Sequence, residues 1–591
     1  MPRTNAINKS ALHHNDHYKW IALTNTTLGV LMASINGTIL IIALPAIFAG
    51  IHVNPLNQGQ SSLLLWVLLG FNVATTIFLV AFGRISDTYG RVKLYNLGFA
   101  IFTLGSILLF ITPSQGIAGE WELIIFRFIQ GIGGAFLFSN STAILTDAFP
   151  ANQRGFALGL NQIASVGGSV IGLVVGGLLA VVNWRLIFLV SVPVGLIGTI
   201  WGYISLKEMA KTRDSKHLDF FGNITFALGL LAILIGLTYG ILPYGKSPMG
   251  WSNPWIITAL VVGVVLLLAF IQIERMVRDP MFHLDLFKNQ AFSLGNLSGL
   301  LSSIARGGLQ FMLIIWLQGI WLPLHGVSYA NTPLLAGVAT LPQMVGFLLA
   351  GPLSGWISDR LGARWFGFAG MMVSGVGFFL LNTLPADFSY IWFAIYVFII
   401  GAGMGMFASP NTSMVMNAVP PRFRGVASGM RATFLNGGMM MSMGIFFSIV
   451  ITNLSGHLPS AMLQGLSHYQ LPPALVHGIS GLPPTAALFA AMLGYNPMAS
   501  LIPAAALHAL PASQAAQIVG REFFPNLIAV PFMLALRAVF IFALVMSVIA
   551  AFASLFSGKK YIFDEEANSS PSDNIAPQEV AATRLHPRKS E

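Results

Sequence analysis

A short polar phrase occurs twice in this chain, each time between two long apolar runs. The first copy, GRISDTYGR, covers residues 83–91, and the second, GWISDRLGAR, covers residues 355–364. Their starts are 272 residues apart (355 − 83) in a chain of 591 residues, so each half holds one copy. The same charged turn in both halves predicts two copies of one helical bundle.

The composition indicates a membrane protein. The chain is 55% hydrophobic and 8% charged, whereas soluble domains carry about 25% charged residues. Its mean hydropathy is +0.75. Cysteine is absent, which excludes disulfides, thiol catalysis and Cys-ligated metals. We expect no metal and no cofactor.

Fourteen apolar runs are long enough to cross a bilayer, which takes about 20 residues. Because backbone inside a membrane must satisfy its own hydrogen bonds, these runs are predicted to be helices, giving an all-α polytopic membrane protein. The predicted spans are 20–46, 61–83, 94–113, 122–146, 155–181, 184–206, 221–242, 254–274, 291–318, 333–355, 365–384, 390–416, 425–453 and 530–557.

The distribution of basic residues predicts the orientation. With the N-terminus in the cytoplasm, the inner segments hold 23 of the 30 Lys and Arg residues, and the outer segments hold only Arg185, Lys246 and Arg521. This positive-inside bias, with an even number of spans, places both termini in the cytoplasm of a cell-membrane protein. It also accounts for the net charge of +10, so we expect no nucleic-acid partner.

The internal repeat extends beyond the polar phrase. Residues 150–159 resemble residues 420–429, at an offset of 270 (424 − 154 for the shared Arg), and two pairs of glycines recur at the same offset. These blocks relate spans 1–6 to spans 9–14 and leave spans 7 and 8 as an inserted hairpin. Two parallel six-helix repeats are typical of rocking transporters. The predicted divisions are an N-terminal tail (1–19), an N-terminal bundle (20–206), a linker with two spans (207–290), a C-terminal bundle (291–557) with an outer loop (454–529), and a disordered tail (558–591).

Several motifs resemble those of the major facilitator superfamily, in its fourteen-span drug–proton antiporter branch. Residues 83–93 are similar to the signature loop between spans 2 and 3, and residues 127–134 to the R-x-x-Q-G-x-G pattern of span 4. Residues 168–177 resemble the antiporter pattern of span 5, with Leu173 where that pattern has Pro. The resemblance implies a secondary transporter that exports amphipathic small molecules by alternating access, driven by the proton gradient.

The repeated turns are expected to act in conformational change. Asp87 can pair with Arg91 or with an arginine of the neighbouring bundle, and an ion pair made in only one state biases a two-state equilibrium. The alternative is a solvated turn that only sets topology. The residues of this group are Gly83, Asp87, Gly90, Arg91, Lys93, Gly355, Asp359, Gly362 and Arg364.

Span 5 contains a stripe of small residues. Gly168, Gly172 and Gly176 lie on one helical face, followed by Gly177, and such stripes allow close backbone approach. We expect this face to seal against a helix of the other half. Packing within its own bundle is the alternative.

Charged and polar residues inside the spans are candidates for coupling and substrate binding, because a charge at the bilayer centre is costly unless it serves a cavity or a partner. The resembled branch carries an Asp where this chain has Asn36, which cannot titrate. Proton coupling could instead run through Glu122, Asp87 or Asp147 with Arg127, or the substrate could carry the titrating group. The candidates are Asn36, Glu122, Arg127, Gln130, Asp147, Arg306, Gln310 and Arg431.

Arginines in a low-dielectric interior favour an anionic ligand. The alternative function is therefore an exporter of organic anions or lipids that is not coupled to protons in the usual way. No catalytic set is evident inside the spans, so we expect no enzyme. The expected partners are a small-molecule substrate, protons and the lipid bilayer, with a monomer as the functional unit. Short helices in the outer loop are expected to lie on the outer face.

Overall fold

The computed structural model describes residues 9–53, 60–150, 153–209, 219–245, 247–277, 280, 282–328, 331–420, 423–492 and 496–558. All regular secondary structure within these ranges is helical. The N-terminal residues 1–8 and the predicted tail beyond residue 558 lie outside them.

Fourteen helical segments in the described ranges are long and apolar enough to cross a membrane, which confirms the predicted number of spans. Spans 1–7 are His17–Gly50, Trp66–Ser86, Arg91–Ile111, Gly116–Ala148, Phe156–Val182, Leu186–Ser205 and Phe221–Gly240. Spans 8–14 are Pro254–Met276, Gln290–Leu324, Thr332–Ser358, Ala363–Asn382, Tyr390–Asn417, Val426–Ser467 and Phe523–Leu555.

Three spans are interrupted. Span 6 consists of Leu186–Leu189 and Ser191–Ser205, and span 10 of Thr332–Ala339 and Leu341–Leu361. Span 9 begins with Gln290–Arg306, breaks at two glycines, and continues as Leu309–Trp316, a π-helical turn Leu317–Trp321 and Leu322–Leu324. Such π turns are rare and are found mostly at functional sites.

The two halves pack their helices in the same way. In the N-terminal half span 1 packs on span 5, span 4 packs between spans 2 and 3, and span 3 packs on span 6. In the C-terminal half span 9 packs on span 13, span 12 packs between spans 10 and 11, and span 11 packs on span 14. This equivalence confirms two pseudo-symmetric six-helix bundles. Spans 7 and 8 pack on each other as the inserted hairpin, and span 7 contacts spans 2 and 13 at the seam.

The repeated turns have the same backbone geometry. Gly90 and Gly362 both adopt positive φ, at 109° and 97°, a region that glycine enters without steric cost. A Cβ at Gly83 would meet Ser139, and a Cβ at Gly355 would meet Ser409, a pair 270 residues apart (409 − 139). The repeat in sequence is therefore also a repeat of contacts.

One apolar core joins the two halves at one side of the bundle. We call the side at which span 1 begins the terminal side, and the other the opposite side. The shared core on the opposite side includes Phe48 of span 1 and Trp316 of span 9. On the terminal side the buried apolar residues form separate clusters, one around Tyr95 in the N-terminal half and another around Phe292, which Val80 of span 2 joins. The halves are thus closed together on the opposite side.

The segment between spans 13 and 14 differs from its predicted form. The helix of span 13 runs without a break over Arg424–Ser467, beyond the predicted limit of 453, because its Pro459 does not end it. One short helix that follows, Pro484–Met492, contacts span 2, span 9 and span 13, and residues 486–491 within it are almost completely buried. The helix is thus enclosed by the spans, and its predicted place at the outer face stays a prediction. Its small alanine side chains fit between the larger helices.

Candidate functional site

Open space lies between the two halves on the terminal side. At Gly159 and Gly167 of span 5 a Cβ would meet no atom within 4 Å, and the same holds at Gly429 and Gly437 of span 13. The two pairs occupy equivalent repeat positions, 270 residues apart (429 − 159 and 437 − 167). Spans 5 and 13 therefore have open space at equivalent positions of the two repeats.

Two arginines among the binding candidates belong to the C-terminal half. Arg306 is exposed although its neighbours in span 9 are buried, and it lies close enough to Arg431 for the two charges to repel each other. Arg431 donates a hydrogen bond from Nη2 to Thr412 Oγ1 at 2.7 Å. Gln310 donates from Nε2 to Thr340 Oγ1 at 3.3 Å. The predicted residues Arg306 and Arg431 are thus near enough for their charges to interact.

The N-terminal half contains a closed polar network. Arg127 is fully buried and donates from Nη1 to Gln130 Oε1 at 2.9 Å and to the Asn36 carbonyl at 3.3 Å. Gln130 Nε2 donates to Asn36 Oδ1 at 3.0 Å and to Ser106 Oγ at 2.8 Å. Asn36 Nδ2 in turn donates to Ser191 Oγ. Three predicted candidates, Asn36, Arg127 and Gln130, therefore form one unit that ties spans 1, 3, 4 and 6 together.

The two polar centres mark where the halves differ. Gly168 and its equivalent Gly438 contact Leu31 and Leu300, an offset of 269 (300 − 31), so Arg306 is equivalent to Gly37, the neighbour of Asn36 (306 − 37 = 269). The equivalent of Arg127 is Val397. Val397 is fully buried in the shared apolar core. The N-terminal half therefore buries its arginine completely, whereas in the C-terminal half Arg306 is exposed and Arg431 is half-buried. The charge available to a ligand lies in the C-terminal half.

The seal on the opposite side depends on close backbone contact between spans 5 and 10. A Cβ at Gly177 would lie 2.6 Å from Leu334 Cα. Leu173, which stands where the antiporter pattern has Pro, is fully buried in a cluster with Ile42 and Ile314. Its carbonyl oxygen lies 3.3 Å from the Cβ position of Gly337. Leu173 and Gly177 thus join the two halves.

The remaining glycines of the stripe have a different partner from the expected one. A Cβ at Gly168, Gly172 or Gly176 would lie 2.6–2.8 Å from a backbone oxygen of span 1, in the same half. The expected contact of these three glycines with the other half is wrong. Their spacing defines one helical face, and the fold turns that face toward span 1.

Asp147, at the end of span 4, bonds to the start of span 3 and lies far from Arg127. It accepts two hydrogen bonds from Arg91 Nη1, at 2.8 and 2.7 Å. Glu208, which the sequence analysis missed, accepts hydrogen bonds from the backbone N–H groups of Arg91 at 3.0 Å and Val92 at 2.9 Å. These carboxylates fix the start of span 3. The proposed pairing of Asp147 with Arg127 is wrong, because the two residues lie at different ends of span 4.

Other members of the turn group have separate environments. Lys93 is exposed, and the Arg364 guanidinium lies 5.4 Å from the ring centre of Trp365. The side chains of Asp87 and Asp359 lie outside the described part of the structure. The role of these two carboxylates as a latch stays a prediction.

Removing the carboxylate of Asp147 should loosen this turn. The Arg91–Asp147 pair is partly buried, with side-chain exposures of 18% and 27%, and a hydrogen bond to a charged group contributes about 1.5–3 kcal/mol. We expect Asp147→Asn to lower the melting temperature of the purified protein measurably. Asp285→Asn is the control, since Asp285 and Lys288 form a fully solvated pair and should give no shift. Equal shifts for both variants would contradict a structural role for the Asp147 pair.

The acidic residues near the start of span 4 were only partly recognised. Glu122 accepts hydrogen bonds from Ser114 Oγ at 2.6 Å and from Ser114 N at 3.3 Å, so it holds the loop between spans 3 and 4. The helix begins at Gly116, before the predicted limit of 122, and this brings Glu120 into the span. Glu120 is fully buried, and neither of its oxygens has a hydrogen-bond partner in the described structure. A carboxylate one turn into a helix gives no apolar signal, which is why the hydropathy limits excluded it.

These features define a class of protein. Two six-helix bundles, related by an internal repeat, meet at a seal on one side and leave open space at equivalent positions of spans 5 and 13 on the other. Membrane transporters that work by alternating access have this architecture.

The comparison with known families agrees with this class. The sequence matches the Major Facilitator Superfamily over residues 26–443, more than half of the chain, and the protein belongs to this family. It is therefore a multi-pass membrane transporter and not an enzyme.

Alignments with three related transport and resistance proteins cover most of the chain. The riboflavin transporter RibZ of Clostridioides difficile (strain 630) is 31% identical over 443 residues, covering 74% of this chain and 89% of that protein. Multidrug resistance protein 3 of Bacillus subtilis (strain 168) is 27% identical over 72% of this chain and 79% of its own length. The tetracenomycin C resistance and export protein of Streptomyces glaucescens is 25% identical over 71% of this chain and 73% of its own length.

Solved structures share the fold at low sequence identity. A bacterial homologue of the human lysosomal transporter Spinster, in an inward-facing and unoccupied conformation, aligns with a TM-score of 0.53 at 15% identity. The alignment covers 91% of this chain and 97% of that one. An autoinhibited peptide transporter of the POT family gives a TM-score of 0.52 at 13% identity, covering 80% of this chain and 96% of that one.

Proposed function

We propose that this protein is a secondary active transporter that exports amphipathic small molecules across the cell membrane by alternating access. The observation that carries this proposal is the central cavity, open on the terminal side between equivalent faces of spans 5 and 13. The positive-inside distribution of Lys and Arg assigns the terminal side to the cytoplasm. In this orientation the cavity takes up substrate from the cell interior, and the seal of spans 5 and 10 must open for release.

The charge of the cavity favours substrates with an anionic group. Arg306 and Arg431 repel each other across the cavity wall, and an anion between them relieves that repulsion. Guanidinium groups bind carboxylate and phosphate in two-point geometry. Another arginine of the interior, Arg127, is fully buried and donates to Asn36 and Gln130. The preferred substrate therefore combines an apolar or aromatic body with a carboxylate or phosphate.

The proton gradient is the proposed energy source. Relatives named as multidrug resistance and export proteins support an export function, while the relative named as a riboflavin transporter supports a flavin-like heterocycle as one candidate body. Asn36 leaves the first span without a titrating group, so any proton must bind elsewhere in the protein.

Riboflavin and riboflavin 5′-phosphate form a matched pair of probes, because they share one ring system and differ by an anionic phosphate. We expect proteoliposomes to transport the phosphate ester faster than riboflavin. The double variant Arg306→Gln, Arg431→Gln should reduce transport of the ester at least about tenfold, as each lost charged hydrogen bond costs about 1.5–3 kcal/mol. Its effect on riboflavin should be smaller.

Arg537→Gln is the control for the loss of an intramembrane arginine. Arg537 lies on span 14 in line with the exposed residues Leu534, Ile541 and Val545, so it faces away from the cavity. This variant should keep the preference for the phosphate ester. A double cavity variant that still prefers the ester would refute the anion site. If transport persists at full rate after the pH gradient is collapsed, proton coupling is refuted, while the anion site is not affected by that result.

A further inference from the structure

Glu120 is a buried titratable residue that belongs to neither of the polar centres described above. It lies in the first part of span 4, at the opposite side of the bundle. Its side chain is completely buried, and neither carboxyl oxygen has a hydrogen-bond partner in the described structure. Burying an isolated ionised carboxylate costs far more than burying its protonated form. A carboxyl group in this position has therefore to be neutral.

Among the described residues, no neighbouring charged group forms a hydrogen bond with Glu120. The charged or titratable residues at this end of the half are His52, Glu122 and Arg185. His52 is exposed, Glu122 bonds to Ser114, and Arg185 donates to the Thr112 carbonyl at 3.0 Å and lies over the Trp184 ring.

Arg127 lies on the same face of span 4, seven residues further on, or about 10 Å along the axis. Its two terminal nitrogens donate to the Asn36 carbonyl, and one of them also donates to Gln130. Its Nε has no hydrogen-bond partner in the described structure, and neither do the Glu120 oxygens, so the guanidinium group does not bond Glu120.

The burial of Glu120 belongs to the closed seal. The start of span 4 is bound to the end of span 1, where Gly116 N donates to the Ile51 carbonyl at 2.7 Å. Ile51 lies 3.7 Å from the Cβ position of Gly119, the residue before Glu120. Ile51 and Leu123, three residues after Glu120, both belong to the apolar core that the two halves share on the opposite side. Separating the halves on that side opens this core and admits water toward Glu120.

We propose that Glu120 is a proton-binding site whose protonation accompanies closure of the opposite side. In the open conformation the carboxyl group exchanges its proton with the water on that side, and in the closed conformation it is held neutral. This inference deepens the proposed function: for its role in transport it rests on proton-driven export, in which substrate release on the opposite side is followed by proton binding there.

The sign of the pH effect follows from linkage. The closed conformation binds the proton more tightly than the open one, so lowering the pH on the opposite side favours closure. With a single linked proton the closed-to-open ratio changes by at most tenfold per pH unit. The closed-to-open ratio is independent of pH wherever Glu120 has the same protonation state in both conformations.

Distances between two spin labels can measure closure directly. The chain has no cysteine, so Val182→Cys on span 5 and Leu335→Cys on span 10 introduce the only two labelling sites. Both positions are exposed, by 75% and 40%, and lie at the opposite side. The full-length labelled protein in lipid nanodiscs should show a short-distance population that grows as the pH falls. In Glu120→Gln that population should be large and independent of pH.

Glu122→Gln is the matched comparison, because it removes a carboxylate only two residues away. It should keep the pH dependence of the labelled parent protein. Glu120→Gln with an unchanged pH dependence overturns the proposal, as does a dependence that disappears in Glu122→Gln and persists in Glu120→Gln. The spin-label distances are measured without any transport. If the protein shows no proton-driven export but the distances still depend on pH through Glu120, the proposed function is refuted and the proton site is retained.

Infrared spectroscopy of the protein with native Glu120 tests the site if the variant does not fold. At neutral pH, a protonated carboxyl group without hydrogen bonds gives a C=O stretching band distinct from carboxylate bands, and it should resist deuterium exchange while the opposite side is closed. Absence of such a band overturns the proposal.

Discussion

Gly177→Ala is expected to abolish most transport. The added methyl carbon would lie 2.6 Å from Leu334 Cα, and overpacking at a close contact costs about 1–3 kcal/mol. Because only the conformation closed on the opposite side contains this contact, the cost falls on one state and shifts the equilibrium roughly 5–150-fold toward the other. Transport assays in proteoliposomes, together with the spin-label distances between spans 5 and 10, measure both effects.

Two other glycines separate this effect from general damage to a helix. Gly456→Ala in the helix of span 13 adds a methyl where no atom lies within 4 Å, and should leave both measurements unchanged. At Gly176 a Cβ meets the Ile39 carbonyl oxygen at 2.8 Å, within one half, so Gly176→Ala should lower thermal stability and leave the distance distribution in place. A Gly177→Ala protein that closes normally would contradict the assigned seal.

Arg127→Met should abolish transport and destabilise the protein. The substitution leaves Gln130 Oε1 without its donor and the Asn36 carbonyl without its side-chain partner, and each unsatisfied buried group costs about 1–3 kcal/mol. The guanidinium also lies 5.0 Å from the ring centre of Phe71, a contact that Met does not replace. Thermal melting in detergent and substrate uptake in proteoliposomes are the two measurements.

Arg127→Lys and Ser106→Ala should have smaller effects on stability than Arg127→Met. Lys keeps the charge but cannot reproduce the planar, forked geometry, so we expect partial recovery of stability with little transport. Ser106→Ala removes only the outermost acceptor of Gln130 Nε2 and should cost the least. Full transport by Arg127→Met would show that the network has no role beyond filling space.

Much of the fold follows from the sequence, because the apolar runs and the repeated turns that predict it are both local patterns. A span needs only a run of apolar residues, and fourteen such runs are the fourteen spans of the structure. The repeated turn needs a glycine where φ is positive, and Gly90 and Gly362 have that geometry. The sequence repeat also places Asn36 near the equivalent of Arg306, and the structure pairs Arg306 with the adjacent Gly37 (306 − 37 = 269).

The predictions that were wrong concern which helix a given residue contacts. The spacing of Gly168, Gly172 and Gly176 defines a face but not its partner, and that partner is span 1 of the same half. Asp147 and Arg127 share a helix, yet Asp147 bonds to Arg91. Long-range partners of this kind depend on tertiary packing, which no local pattern encodes.

Burial was misjudged wherever hydropathy was the only guide. Glu120 is charged in sequence and buried in the fold, while residues 486–491 are too few to span and are nevertheless enclosed by larger helices. Helix ends and short inserted helices are positioned by the space left between other elements. Both features occur on the opposite side, where the two halves share their core.

That shared core gives the transporter a heat-capacity signature. Opening the opposite side separates apolar surfaces such as those around Phe48 and Trp316, and hydrating apolar surface raises the heat capacity. The equilibrium between the two conformations should therefore give a curved van't Hoff plot. Since apolar association weakens on cooling, a chilled sample should shift toward the conformation that is open on the opposite side.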